Sequence, residues 1–401
     1  YYDGKVGADY PTQGLLAGEL KRVIPEIQYA SSLEWNSLNT FEAGDKIGKM
    51  PGSFAGADFF TMFSYPLLQG TAQSALNSLN GIAVSRKMAE YFFGSAEKAI
   101  GKNILYENRD NFQVTAVFEN LPANSSQQFD FVRSWLAFEK ENNDWIHHWG
   151  NTDAPTFVQL HKDADPAKVE AKIKDFVYRY MEKPKGVIIE LALQPYTEKY
   201  LHSVFKNGQI DGGRIEYVRL FSIIAVFILL IACINFMNLA TARSAKRARE
   251  VGVRKVVGAA RSGLMGQFLG EALLLTLFSV IIAVFLAAVL LPAFNLLTGK
   301  QLSLPFGKPV FWLSLLGLLM VAGLVSGSYP ALYLSSLNPI RVLKGHLTFT
   351  WKAVFFRKSL VVFQFALSIL LIIGMIVTYR QLDYIQTKNI GYNRENLLYM
   401  P

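Results

Sequence analysis

The chain has 401 residues, 51% of them hydrophobic, and 40 Lys and Arg against 31 Asp and Glu give a net charge of +9. The charge is unevenly spread: residues 1–216 hold 22 basic and 27 acidic residues, whereas residues 217–401 hold 18 and 4. The basic excess therefore sits in the apolar half, where it reads as bilayer topology rather than as a surface for nucleic acid.

The first 216 residues read as a mixed α+β domain. Leu15–Ile24 is an amphipathic helix that ends before Pro25. Gly81–Val84 is a short strand, after which Ser85 can cap a helix over Arg86–Phe93, with Gly94 suited to its C′ position. Asn111–Glu119 alternates around Phe112, Val114, Ala116 and Phe118, a half-buried strand, and Thr156–Leu160 is another. Asp165-Pro166 starts a helix predicted to run to about Met181, and Val187–Leu193 is predicted as a further strand.

Four stretches in the second half contain no Asp, Glu, Lys or Arg: Leu220–Ala242, Ala272–Gly299, Pro309–Ile340 and Ser359–Tyr379. Each is long enough to cross a bilayer core, which takes about 20 apolar residues. The connection after the first stretch carries Arg243, Lys246, Arg247, Arg249, Arg254, Lys255 and Arg261, with Glu250 and Glu271 as its acids. The connection before the fourth carries Arg341, Lys344, Lys352, Arg357 and Lys358 and no acid, whereas that between the second and third has only Lys300 and Lys308. The positive-inside rule places the two basic connections in the cytoplasm and the large N-terminal domain outside. An exported domain of this size needs a signal peptide or an earlier membrane helix, so a leading segment is expected before Tyr1.

Sites for chemistry are sparse. No Gly-x-x-x-x-Gly-Lys-Ser/Thr loop for nucleotide phosphates and no Gly-x-Ser-x-Gly elbow occurs. His147-His148, between Trp145 and Trp149, lacks metal-ligand spacing, so a structural role is preferred. Cys233, the sole cysteine, lies in the first apolar stretch and reads as a small packing residue. Asn235 and Asn238 read as interhelical hydrogen-bonding groups, and Ser326, Gly327 and Ser328 as a small-residue patch before Pro330, which is expected to kink or end its helix.

The first cytoplasmic connection is more informative. Thr241–Val257 reads as a helix continuing past the membrane surface, with Glu250 able to pair with Lys246 or Arg254, and Gly258 breaks it. A basic segment resting on anionic lipid is the plainer reading; an ordered, sharply turned element with an embedded acid fits a docking element for a cytoplasmic partner better.

The run from Asn235 to Ala259, INFMNLATARSAKRAREVGVRKVVGA in its one-letter context, resembles the signature of the MacB/FtsX-like ABC transporter permeases, as does Gln267–Glu271. Ser328-Tyr329-Pro330-Ala331 with Asn338-Pro339 resembles the exit from that family's last core helix. Asp58–Gly70, Ala83–Gly94, Gly101-Lys102 and Val114–Phe118 resemble its periplasmic core domain. Arg357–Phe365 and Gly391–Asn396 resemble the start of a second half in longer, duplicated members. The resemblance divides the chain into a periplasmic α+β core domain (1–216), an all-α membrane domain of three helices with a coupling helix at 242–258 (217–345), and a tail holding the first helix of a second half at 359–379 (346–401).

The resemblance implies a bacterial inner-membrane, multi-pass permease that is not itself an enzyme and binds no cofactor or metal. ATP and Mg would be held by a separate cytoplasmic ABC ATPase. Contact with that ATPase falls on Arg249, Glu250, Gly252, Arg254, Lys255 and Gly258. The implied function is conversion of ATP hydrolysis into motion of the periplasmic domain, for export or extrusion of a periplasmic substrate. The alternative is a regulatory permease that moves nothing and controls a cell-wall enzyme or sensor. Besides the bilayer, a periplasmic adaptor, an outer-membrane channel or a cell-wall enzyme are the further partners to consider.

Overall fold

A computed structural model describes residues 6–336 and 351–388. Its contacts divide the chain into two compact units, Tyr1–Glu216 and Tyr217–Pro401.

The first unit contains the strands β1 (Ile27–Ser32), β2 (Ser37–Ala43), β3 (Lys46–Ala55), β4 (Leu67–Gln69), β5 (Gly81–Ser85), β6 (Asn103–Tyr106), β7 (Asp110–Phe118), β8 (Phe131–Ser134), β9 (Thr156–Leu160), β10 (Phe205–Lys206) and β11 (Gln209–Ile210). Its helices are α1 (Leu16–Val23), α2 (Phe59–Phe63), α3 (Arg86–Phe93), α4 (Ala96–Ala99), α5 (Trp135–Glu141), α6 (Asn143–Ile146), α7 (Pro166–Ile173) and α8 (Tyr196–Lys199). Seven strands pair in the order β4-β7-β5-β8-β3-β2-β6, and β6 also pairs with β7, so six of them close on themselves. A separate antiparallel pair joins β1 to β9, and α1 and α7 pack beside it through Leu16, Leu20, Val169 and Ile173.

Strand β7 shows how one segment serves two cores. Phe112 and Val114 face one buried cluster, whereas Ala116 and Phe118 face another. The switch falls where the pairing of β5 with β7 shifts register by one residue, between Ile82 and Ala83. Because side chains alternate along a strand, a one-residue slip turns them to the other face. The simple alternation read from the sequence therefore holds only along the first part of the strand.

Arg133 on β8 is fully buried. Its guanidinium carbon lies 4.4, 4.1 and 4.0 Å from the ring centres of Phe54, Tyr106 and Phe112, and Nη2 donates to Glu141 Oε1 at 2.5 Å. Among the described residues Nε and Nη1 have no hydrogen-bond partner, so the ring faces take the place of solvent around a charge that would otherwise be costly to bury.

The local signals hold where they are local. Ser85 Oγ accepts from Met88 N–H at 3.1 Å, and Gly94 closes α3 in the left-handed region at φ 88°. Asp165 caps α7 with Pro166 at its first turn, and Thr156–Leu160 is β9 as read. Two expectations fail together. The predicted helix to Met181 stops at Ile173, followed by a 3₁₀ turn over Phe176–Arg179. Among the described residues the predicted strand Val187–Leu193 forms no strand beyond a bridge position at Val187; its backbone runs along α7 and that turn. Leu191 N–H donates to Lys174 O, Ile189 N–H to Tyr178 Oη, and Leu193 N–H to Glu170 Oε2. The segment thus directs these three donors to α7 and the turn that follows it.

The second unit is helical: α9 (Arg214–Val256), which begins at the end of the first unit, α10 (Arg261–Thr298), α11 (Pro309–Ser336) and α12 (Trp351–Thr387). Arg214–Ala240, Arg261–Thr298, Pro309–Ser336 and Lys358–Thr387 are each long and apolar enough to span a membrane. Their large apolar side chains, among them Phe221, Phe278, Phe285, Leu313 and Ile372, are mostly exposed, as contact with lipid requires.

Helices α10 and α11 approach closely because small residues meet: a Cβ on Gly327 would lie 2.6 Å from Ala272 Cβ. Ser326 and Gly327 are buried in this contact, as the small-residue patch implied. Pro330 does not end α11, which continues to Ser336; Pro330 and Ala331 are buried within it. Cys233 is buried on α9. Among the described residues Asn235 and Asn238 make no hydrogen bond to another helix, against the expectation for them. Asn338-Pro339, Arg341, Lys344 and Gly391–Asn396 lie outside the described residues.

Candidate docking segment between the first two membrane helices

Past its apolar span, α9 runs unbroken to Val256, so the segment singled out at 242–258 is an extension of a membrane helix. It ends in a defined turn. Gly258 N–H donates to Lys255 O at 3.1 Å, Ala259 N–H donates to Arg254 O at 2.9 Å, and Gly258 sits at φ 99°. This is the paired closure that a left-handed C′ glycine permits. Only two residues, Ala259 and Ala260, separate Gly258 from the first residue of α10, Arg261.

The segment has two faces. Ala248, Val251 and Gly252 are buried. Arg249, Glu250, Val253, Arg254, Val256 and Val257 are exposed, Val257 to 82%. Three apolar side chains at the end of a charged helix are an unusual presentation to water, and they flank the left-handed turn.

A polar network ties this segment to its neighbours. Arg254 Nη2 donates to Glu250 Oε1 at 2.6 Å and its Nη1 to Gln267 Oε1 on α10 at 2.8 Å. Gln267 donates to Glu271 Oε1 at 3.2 Å, and Glu271 in turn accepts from Arg247. Lys255 Nζ donates to the backbone oxygen of Ser335 on α11 at 2.5 Å, and Arg261 Nε reaches Ser335 Oγ at 3.4 Å. Desolvation, and then the nearby Arg261 charge, hold the Lys255 ammonium below the usual lysine range.

Of the six residues that the sequence singled out, Glu250 and Arg254 are paired, Arg249 is exposed beside them, and Gly252 is buried on the opposite face. Gly258 forms the turn, and Lys255 is directed at α11. Gln267 and Glu271 are spaced i,i+4 on α10, a local signal for one shared face. Ser335 carries no such signal, being 80 residues from Lys255. Among the described residues no group of three or more His, Cys, Asp or Glu converges as a metal site would.

Two family models match the chain: the MacB-like periplasmic core domain over residues 5–176 and the FtsX-like permease C-terminal over residues 222–339. A pyoverdine export ATP-binding/permease protein, PvdT of Pseudomonas syringae pv. syringae, is 24% identical over 358 residues, 86% of this chain and 50% of the relative. A macrolide export ATP-binding/permease protein, MacB of Campylobacter jejuni subsp. jejuni, is 36% identical over 190 residues, 46% of this chain and 29% of the relative. The crystal structure of the periplasmic region of MacB from Actinobacillus actinomycetemcomitans aligns with a TM-score of 0.33 at 16% identity, over 42% of this chain and 73% of that one. The chain spans at most about half the length of these curated relatives. It joins a MacB-like periplasmic core domain to an FtsX-like permease domain, the architecture of an ABC transporter permease.

Proposed function

We propose that this chain is the membrane part of an export machine, in which a cytoplasmic ABC ATPase drives motion of the periplasmic domain through the helices. The observation that carries this reading is the α9 extension, with its left-handed turn and its exposed face of Arg249, Val253, Val256 and Val257. An ordered, half-buried helix end with apolar side chains turned outward suits a protein groove better than a lipid headgroup layer. The basic residues around it favour a cytoplasmic position for this end of the helices, and the bacterial relatives support an inner-membrane location. The ATPase supplies ATP and Mg binding, either as a separate subunit or, as the relatives' names indicate for them, within the same protein. ATP binding would act by favouring one arrangement of the helices over another.

Export is favoured over a purely regulatory role because the matched relatives are named as exporters. Reconstitution of the intact protein with its ATPase in proteoliposomes tests this. An ATP hydrolysis rate that rises with a periplasmic-side substrate supports export. An unresponsive rate together with a stable periplasmic protein partner supports regulation. No ATPase association overturns both.

A further inference from the structure

The cytoplasmic turn is joined to α11 by a contact that the docking reading does not need. Lys255 lies three residues before Gly258 and Arg261 three after it, and both reach the same residue, Ser335. Ser335 is fully buried in the last described turn of α11, next to the buried Leu334, and its Oγ also donates to Leu332 O at 3.1 Å. Eight residues earlier in α11, that helix is locked to α10 where Gly327 meets Ala272. The turn is thus bracketed by two cations that converge on one residue of another helix, Lys255 on its backbone oxygen and Arg261 on its hydroxyl.

We propose that Lys255 and Arg261 are positioning residues: by gripping Ser335 from both sides of the turn, they transmit displacement of that turn to the cytoplasmic end of α11. In this role Lys255 faces inward as a tie, and docking falls to Arg249 and the exposed valines. The proposal rests on the docking reading only for what moves the turn; the tie itself is a property of this chain. A lysine and an arginine suit it, since both present several donors on long stems that can follow a small shift without letting go. A coupling claim of this kind requires a demonstrated dependence of one element on another.

The test is a mutant cycle read by amide hydrogen exchange on the purified intact protein without ATPase. A Cβ at Gly258 would meet no atom within 4 Å, but φ 99° strains any residue other than glycine, so Gly258→Val disturbs the turn through its backbone. In the parent, Gly258→Val should speed exchange across Tyr333–Ser336 at least threefold. In a Lys255→Met/Arg261→Met background, the same change should add nothing further. Lys255→Arg, which keeps a donor, should restore the response. An equal effect of Gly258→Val in both backgrounds, or none in either, overturns the proposal. Because no ATPase is present, failure of the docking reading would leave this outcome unaffected.

Discussion

Arg254 reaches Glu250 across one turn of α9, Nη2 to Oε1 at 2.6 Å, with both side chains about half exposed. A surface pair of this spacing contributes about 0.3–0.5 kcal/mol. Glu250→Ala should therefore leave the thermal midpoint of the purified protein nearly unchanged while weakening retention of an ABC ATPase on an affinity column. Equal losses of stability and retention would make the pair a folding element.

Arg133 gives a contrasting case, because its surroundings are closed. Arg133→Ala removes the charge and leaves a void among Phe54, Tyr106 and Phe112, so it should cost about 3 kcal/mol or more. Arg133→Met fills much of that space and removes two unpartnered donors, so it should cost less than about 1 kcal/mol. Denaturant titration followed by tryptophan fluorescence would separate the two.

Glu34 supplies a pH dependence. Burial, with the Asp153 charge second, pushes its carboxyl up to about 7. The folded state then holds a proton that the unfolded state has released between about pH 4.5 and 7. Stability accordingly falls as pH rises through that window, and the loss is complete above it. Glu34→Gln should stabilise the protein at pH 8, by about 1 kcal/mol once solvent screening is allowed for, and have little effect at pH 4.5. Melting curves at the two pH values check the sign; a larger gain at pH 4.5 would refute it.

The α10–α11 contact is sensitive at one glycine more than at another. A Cβ on Gly327 meets Ala272 Cβ at 2.6 Å, and neither atom can move without its backbone. At Gly323 the nearest atom is Leu273 Cδ2, the far end of a flexible side chain. Gly327→Ala should lower stability in detergent by about 1–3 kcal/mol and Gly323→Ala by less. Matched thermal unfolding curves decide the order.

What was legible in the sequence follows the range of the interactions. Ser85, Gly94, Asp165 and Pro166 act on their own backbone within a few residues, and each does what its type suggests. The membrane spans and the Gly258 turn are likewise local. Asn207-Gly208 is a further local signal: both residues sit at positive φ and join β10 to β11 in a two-residue hairpin loop. Non-local outcomes were not legible. The register shift in β7 depends on β5, and Val187–Leu193 follows α7 because Lys174, Tyr178 and Glu170 offer it acceptors. At the docking segment, the pairing of Glu250 with Arg254 could be read from its i,i+4 spacing, but the engagement of Ser335 depends on how α11 packs.

Docking of an ABC ATPase on the α9 extension is what the proposed function requires. Co-purification of the intact protein with the ABC ATPases of its source cell tests it most directly, in the parent and with Arg249→Ala, Glu250→Ala and Arg254→Ala combined. One ATPase should be retained by the parent and released by the triple variant, with the thermal midpoint little changed. An ATPase retained equally by both, or by neither, would contradict it.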